Sequence, residues 1–272
     1  MKKRYKACWV FIIGILFCFI FLSSILIHKL YIHEKNQDRK INDILYLLKE
    51  LDGSRELACY EFMEKCQGGE YNFLAIGNSI TKHQVCEFWW DEIGMAASSE
   101  ENDYFHQVTT ELEKQYGDVN SFSYNFSSWE MSASDRNRTL SLLEEVVNPY
   151  LDLVVIQLGE NINNTDTLET DFKNLIDYIK SASPKAEILV IGNFWENEKV
   201  DGIKEKAAFE KGVLYISLKE IQGKREYQSS VGNTVYDKEG NSHKIEEKGV
   251  ARHPGDVGMD YIAQQIIRNI EE

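Results

Sequence analysis

The sequence predicts an α/β fold, a parallel sheet covered by helices on both faces, and three observations predict it. Short runs rich in Val, Ile and Leu recur from about residue 70 onward. A helix-compatible segment of ten or more residues follows most of these runs, as crossovers between parallel strands require. The polar motifs sit just after the apolar runs, where the carboxyl ends of parallel strands gather. Right-handed crossovers turn this alternation into a doubly wound, three-layer sandwich.

The chain of 272 residues has room for one large or two small domains. It is 43% hydrophobic and 12% aromatic with only 3 Pro, a globular composition without repeats. The net charge of −14 understates the acidity of the body, because residues 1–30 carry Lys2, Lys3, Arg4, Lys6 and Lys29 and no acidic side chain. Such a surface argues against nucleic acid and anionic headgroups as partners.

Residues 1–7 read as a basic cytoplasmic tail. Cys8 to Ile27 is a run of twenty residues without a charge, long enough in a helix to span the hydrocarbon core. The basic residues before it place the N-terminus in the cytoplasm and the rest of the chain outside. A cleaved signal peptide is the competing reading, but the exit Ser24-Ile-Leu-Ile-His-Lys lacks an Ala-x-Ala site. Residues 28–69 form a juxtamembrane stalk or linker. Within it, Ile41, Ile44, Leu45, Leu47, Leu48 and Leu51 give residues 34–51 a helical spacing, suited to a stalk, a homodimer seam or a helix packed on the domain. Of five cysteines, Cys8 and Cys18 lie in the span; Cys59 and Cys66 are candidates to pair outside the cell, leaving Cys86 single. No Cys/His spacing suits zinc, so neither a metal site nor a cofactor is expected.

Residues 70–272 form the main domain. Its strands are expected at Tyr71–Ile76, Ser121–Phe126, Leu153–Gln157, Glu187–Ile191 and Val213–Ile216. Helices are expected at Tyr104–Gln115, Arg138–Val147, Glu169–Ser181, Val200–Lys211 and Gly258–Ile270. The segment between Gln222 and Gly249 is polar and without a clear period, and reads as a long loop.

In Phe73-Leu-Ala-Ile-Gly-Asn-Ser-Ile-Thr81 an apolar strand ends at a glycine and delivers Ser79 to the sheet edge, with a helix expected to start there. A serine so placed is a nucleophile if a base reaches it, and otherwise an N-cap. After the third strand, Gly159-Glu160-Asn161 offers a carboxamide that can donate to an oxyanion or cap a turn. After the second strand, Asn125-Phe-Ser-Ser-Trp-Glu-Met131 supplies further backbone donors at Ser127–Trp129. Trp129, Glu160 and Trp195 are candidates to line a substrate pocket, while Trp89 and Trp90 read as core or pocket wall. His253 precedes Pro254, which fixes the backbone, and stands ahead of the last helix.

Taken together and in order, Gly77-Asn-Ser79-Ile-Thr81, Gly159-Glu160-Asn161 and His253-Pro254 with Asp256, Gly258 and Met259 resemble the SGNH (GDSL-type) hydrolases over roughly residues 70–272. The stretch from Trp90 to Tyr104 looks like a bacterial subgroup of that family. The resemblance implies a five-stranded, flavodoxin-like parallel sheet and a serine nucleophile, Ser79, served by His253. It also implies an oxyanion hole from the Ser79 N–H, a donor of the 127–129 loop such as Ser128, and the Asn161 amide.

The chain departs from the family pattern at four places. Asn78 replaces the usual Asp, and Ile162 replaces the Asp that ends the third block. Ser127-Ser128-Trp129 stands where a glycine N–H is usual, and Val250 holds the position of the acid three residues before the histidine. Glu130, Glu246, Glu247 or a main-chain carbonyl is left to orient His253. The expected function is an extracellular, membrane-tethered serine esterase that removes a small acyl group, such as acetyl, from a cell-surface carbohydrate. An O-acyltransferase using the same dyad and a non-catalytic glycan-binding domain are the alternatives.

Overall fold

The computed structural model describes residues 53–270 except Ser134. The expected anchor at 8–27 and the helix at 34–51 lie outside the described residues. No helix among the described residues is long and apolar enough to cross a membrane. The compact unit begins at Glu56, so residues 56–69 belong with the sheet and not with a linker.

In chain order the main elements are α1 (Gly53–Lys65), β1 (Tyr71–Gly77), α2 (Tyr104–Tyr116), β2 (Val119–Asn125), α3 (Ser127–Met131) and α4 (Arg136–Thr139). They continue with β3 (Leu153–Gln157), α5 (Leu168–Ala182), β4 (Glu187–Ile191), α6 (Glu198–Lys211) and β5 (Leu214–Ile216). A hairpin of β6 (Thr234–Tyr236) and β7 (Ser242–Lys244) follows, then α7 (Lys248–Ala251) and α8 (Asp256–Ile270).

The five-stranded sheet has the order β2-β1-β3-β4-β5, with every neighbouring pair parallel. Alternation along each strand splits the core in two. Phe73 and Ala75, Leu153 and Val155, and Leu189 and Ile191 face one way, onto Tyr104, Val108 and Leu112 of α2 and Met259, Ile262 and Ile266 of α8. Leu74 and Ile76, Val154 and Ile156, and Ile188 and Val190 face the other way, onto Phe62 of α1, Phe172 and Leu175 of α5, and Ala207 of α6. Full burial on both faces is what turns these strands into nearly unbroken apolar runs.

The helix ends follow local chemistry. Asp103 caps α2 by accepting from the His106 N–H at 2.8 Å, and Asn197 caps α6 by accepting from Val200 at 3.2 Å. Gly212, with φ +62°, closes α6 in the left-handed conformation.

Three expectations are corrected. The helix expected at Arg138–Val147 is the short α4 followed by a 3₁₀ stretch, Leu140–Glu145; β-branched Val146 and Val147 and then Pro149 stop it from continuing. The segment from Gln222 to Gly249 is no plain loop, for it carries a 3₁₀ turn and the β6–β7 hairpin. Asp237 holds that hairpin's turn by accepting from the Glu239 and Asn241 N–H groups and from His243. Cys59 and Cys66 are both buried, and no disulfide joins them to each other. Seven residues along a helix separate Cα atoms by roughly 10 Å, beyond the reach of a disulfide. The Cys66 sulfur instead accepts from the Asn120 and Asn148 amides, each at 3.3 Å.

Candidate active site

The sheet order reverses direction between β1 and β3, and the loops leaving these two strands diverge to form a crevice at their carboxyl ends. Ser79 leaves β1 and Asn161 leaves β3 on this edge. Gly77 makes the exit possible, because a Cβ there would collide with the Thr81 side chain. No helix begins at Ser79, contrary to the sequence expectation. Asn78 folds a single turn in which its carbonyl accepts from Thr81 and Lys82, each at 3.0 Å, and its side-chain Oδ1 accepts from Ile80. The chain then runs on as loop and 3₁₀ turn until α2 starts at Tyr104.

His253 comes from the far end of the chain to the same edge. Its Nε2 lies 2.9 Å from the Ser79 Oγ, and its Nδ1 lies 3.0 Å from the Gly249 carbonyl. A carbonyl only accepts, so Nδ1 carries the ring proton and Nε2 presents its lone pair to the serine hydroxyl. Burial pushes the imidazole down to about 4, with the neighbouring His83 and Arg252 adding to the effect, so the ring is neutral at pH 7. The partner of Nδ1 is thus a main-chain carbonyl and none of the three candidate acids. Glu246 and Glu247 are exposed, and Glu247 stands at the rim of the crevice. Glu130 is fully buried and turned toward Asn161.

The crevice is an open depression of about 540 Å³ lined by Ser79, His253, Asn161, Trp195, Glu247, Gly249 and Val250, with His83, Phe88 and Met95 on its other side. Trp195 meets the His253 ring edge-on at 4.9 Å between centroids, and its indole N–H donates to the Arg252 carbonyl at 3.0 Å. The other two candidate lining residues are elsewhere. Trp129 is fully buried, packed edge-on against Phe172 and under the Arg136 guanidinium. Glu160 turns its carboxylate to the loop after β4, accepting from the Phe194 N–H at 2.6 Å and the Trp195 N–H at 3.4 Å. It holds Trp195 in place and does not line the crevice. Ser128 is also buried and absent from the lining. Its amide is the second of α3, where a helix offers no acceptor of its own. Among the described residues the Ser128 hydroxyl has no partner either.

Sequence reasoning allowed for a main-chain carbonyl behind His253 but could not say that it is that of Gly249, which no side-chain pattern can announce. It also missed His83, Phe88 and Met95, whose only signal was their nearness in sequence to Ser79.

Behind Asn161 lies a second buried layer. Gly159 has φ +140°, and a Cβ on it would run into the Asn193 side chain and the Lys204 ammonium. The Lys204 Nζ donates to Asn193 Oδ1 at 2.7 Å. Burial raises the Glu160 carboxyl and lowers the Lys204 ammonium from their ordinary values, and each partly offsets the shift of the other. Among the described residues no cluster of His, Cys, Asp or Glu could hold a metal ion.

No family model matches the sequence, and no curated protein matches it. Solved structures do resemble the chain. A two-domain esterase active on acetylated mannans, co-crystallised with mannopentaose, superposes with a TM-score of 0.50 at 16% identity over 78% of this chain and 53% of its own. The chain thus spans about half the length of that esterase. Phospholipase A1 from Streptomyces albidoflavus gives 0.45 at 12% identity, over 75% of this chain and 100% of its own. A family two carbohydrate esterase from Clostridium thermocellum gives 0.45 at 16% identity, over 74% and 63%. At such identities the likeness concerns the fold alone. The described chain has the SGNH (GDSL-type) hydrolase fold.

Proposed function

We propose that the protein is a serine esterase that removes a small acyl group, acetyl in the simplest case, from a carbohydrate. The observation that carries this reading is the 2.9 Å contact between the Ser79 hydroxyl and a His253 nitrogen whose tautomer is fixed from behind by the Gly249 carbonyl. A neutral imidazole with its lone pair on the hydroxyl is a general base ready to act. As Ser79 attacks the ester carbonyl, its proton passes to Nε2, and the oxyanion is held by the Ser79 N–H and the Asn161 amide, with the Ser128 N–H a further candidate donor. The imidazolium then returns the proton to the departing sugar oxygen. Water, activated by the same nitrogen, releases the acyl group.

The mannan esterase among the similar folds supports a carbohydrate ester as substrate, as does Trp195 beside the dyad, an aromatic surface on which a sugar can stack. The open depression suits a polymer better than a long acyl chain. The apolar run Cys8–Ile27 behind a basic tail supports a membrane-tethered enzyme with its site outside the cell.

The test is fluorophosphonate labelling together with hydrolysis of p-nitrophenyl acetate by the full chain. Labelling that disappears in Ser79→Ala and falls at least ~100-fold in rate in His253→Ala is the expected result. A Ser79→Ala protein that still turned over the ester at the wild-type rate would end the reading.

A further inference from the structure

Glu130 is fully buried, and the site as described gives it no part in the proton transfers. Its surroundings are one-sided. Oε1 receives the Gly159 N–H at 2.5 Å, the Asn78 side-chain amide at 3.1 Å and the Asn161 N–H at 3.4 Å. Oε2 receives the Asn161 side-chain amide at 2.7 Å. Four donors and no acceptor converge on the two oxygens, and these hydrogen bonds favour the carboxylate against the full burial that raises the acid from its ordinary value. The three loops so joined are those leaving β1, β2 and β3, which together build the oxyanion side of the crevice.

We infer that Glu130 is the positioning residue of the oxyanion hole, fixing which edge of the Asn161 carboxamide faces the substrate. A carboxylate can only accept, so the Asn161 group beside it must be the NH₂ and not the carbonyl oxygen. One amide hydrogen is spent on Glu130, and the other remains for the oxyanion. The same logic accounts for Asn78, where the family resemblance leads one to expect Asp. An Asp there would set a second carboxylate against Oε1, whereas Asn keeps the oxygen that accepts from Ile80 and adds a donor for Glu130. Arg136, which donates to the Glu130 carbonyl at 3.4 Å and pairs with Asp171 at 3.2 Å, ties the short α3 that carries Glu130 to α5.

The inference rests on the esterase reading and makes a counter-intuitive prediction for a nearly isosteric change. In Glu130→Gln the new amide nitrogen must point at one of the four donors. The cheapest relief is for Asn161 to turn over and offer its oxygen, which then also faces the oxyanion. E130Q is therefore expected to lose kcat on p-nitrophenyl acetate as severely as N161A, on the order of 10²-fold, with KM within about 2-fold of wild type. The double variant should be no worse than N161A alone, because the effect passes entirely through Asn161. Glu130→Asp, still an acceptor only, should recover part of the loss.

Losses that multiply in the double variant, or an E130Q enzyme within about 3-fold of wild type, would overturn the assignment. Should E130Q not fold, Asn78→Asp probes the same contact from the other side. It removes the donor that holds Oε1 and sets a second carboxylate against it, which displaces Glu130 from Asn161, with an expected kcat loss of at least ~10-fold that vanishes on the N161A background. Persistence of that loss on N161A would equally sink the proposal. If the wild-type chain neither labels nor hydrolyses the ester, the esterase reading falls and takes this one with it. If wild type labels normally and E130Q matches it, only the role of Glu130 is lost.

Discussion

His253 does without the carboxylate that the family pattern leads one to expect, and its environment says how. The Gly249 carbonyl fixes the tautomer as an acid would, but contributes a dipole in place of a full charge. Val250, at the expected acid position, is buried and packs in the core beside α8. The imidazole therefore stays at about 4, lowered chiefly by burial. The kcat/KM profile for ester hydrolysis should rise between roughly pH 3 and 5 and run level from there to neutrality. A limb centred near 6.5 would mean that the ring is solvated and the geometry wrong. The same shift bears on stability. The folded value lies below the unfolded one, so between about 4 and 6.5 the unfolded chain binds more protons and stability rises with pH. On acidification through that window the fold should lose on the order of 3 kcal/mol on this account. Denaturant midpoints at pH 4 and pH 7 test this, because His253→Ala should show a correspondingly smaller difference than wild type.

The turn after β3 bears a specific structural demand. Gly159 must hold φ +140° while the Lys204–Asn193 pair presses against its Cα, and it must hand its N–H to Glu130. Gly159→Ala is expected to destabilise the fold by roughly 2–3 kcal/mol and to lower kcat by displacing Asn161, read by denaturant unfolding and by ester turnover. A variant as stable as wild type would mean that this turn relaxes freely. Much of this element was legible beforehand, because the strand is an apolar run, the glycine a break and the asparagine a polar tip. Ser79 and His253 were legible for the same reason, a short motif at the end of a strand or before a helix. What stayed hidden depends on contacts between distant segments. Glu130 reads in sequence as one more acidic residue, and only closure of the loops after β1, β2 and β3 surrounds it with donors. The β6–β7 strands are three residues each and largely polar, too short for any period to emerge. Trp129 and Trp195 look alike in sequence, yet one is under Arg136 in the core and the other stands beside His253.

For the whole molecule, the proposed tether to a membrane is the part to test. Nothing in its net charge of −14 favours a surface of anionic headgroups, and among the described residues no helix could span a bilayer. In the proposed tether the apolar run Cys8–Ile27 inserts in the bilayer, and hydrophobic insertion is insensitive to the salt and pH that govern electrostatic adhesion. The full chain expressed in a bacterial host should therefore remain in the membrane pellet after washes in high salt and in alkaline carbonate, and require detergent for release. A fragment of residues 53–272 should be free of the pellet in every buffer and label at Ser79 as fast as the full chain, because the compact unit begins only at Glu56. Release of the full chain by carbonate would remove the tether from the proposal and leave the esterase untouched. A fragment that is free but fails to label would instead mean that residues before Gly53 help to shape the site.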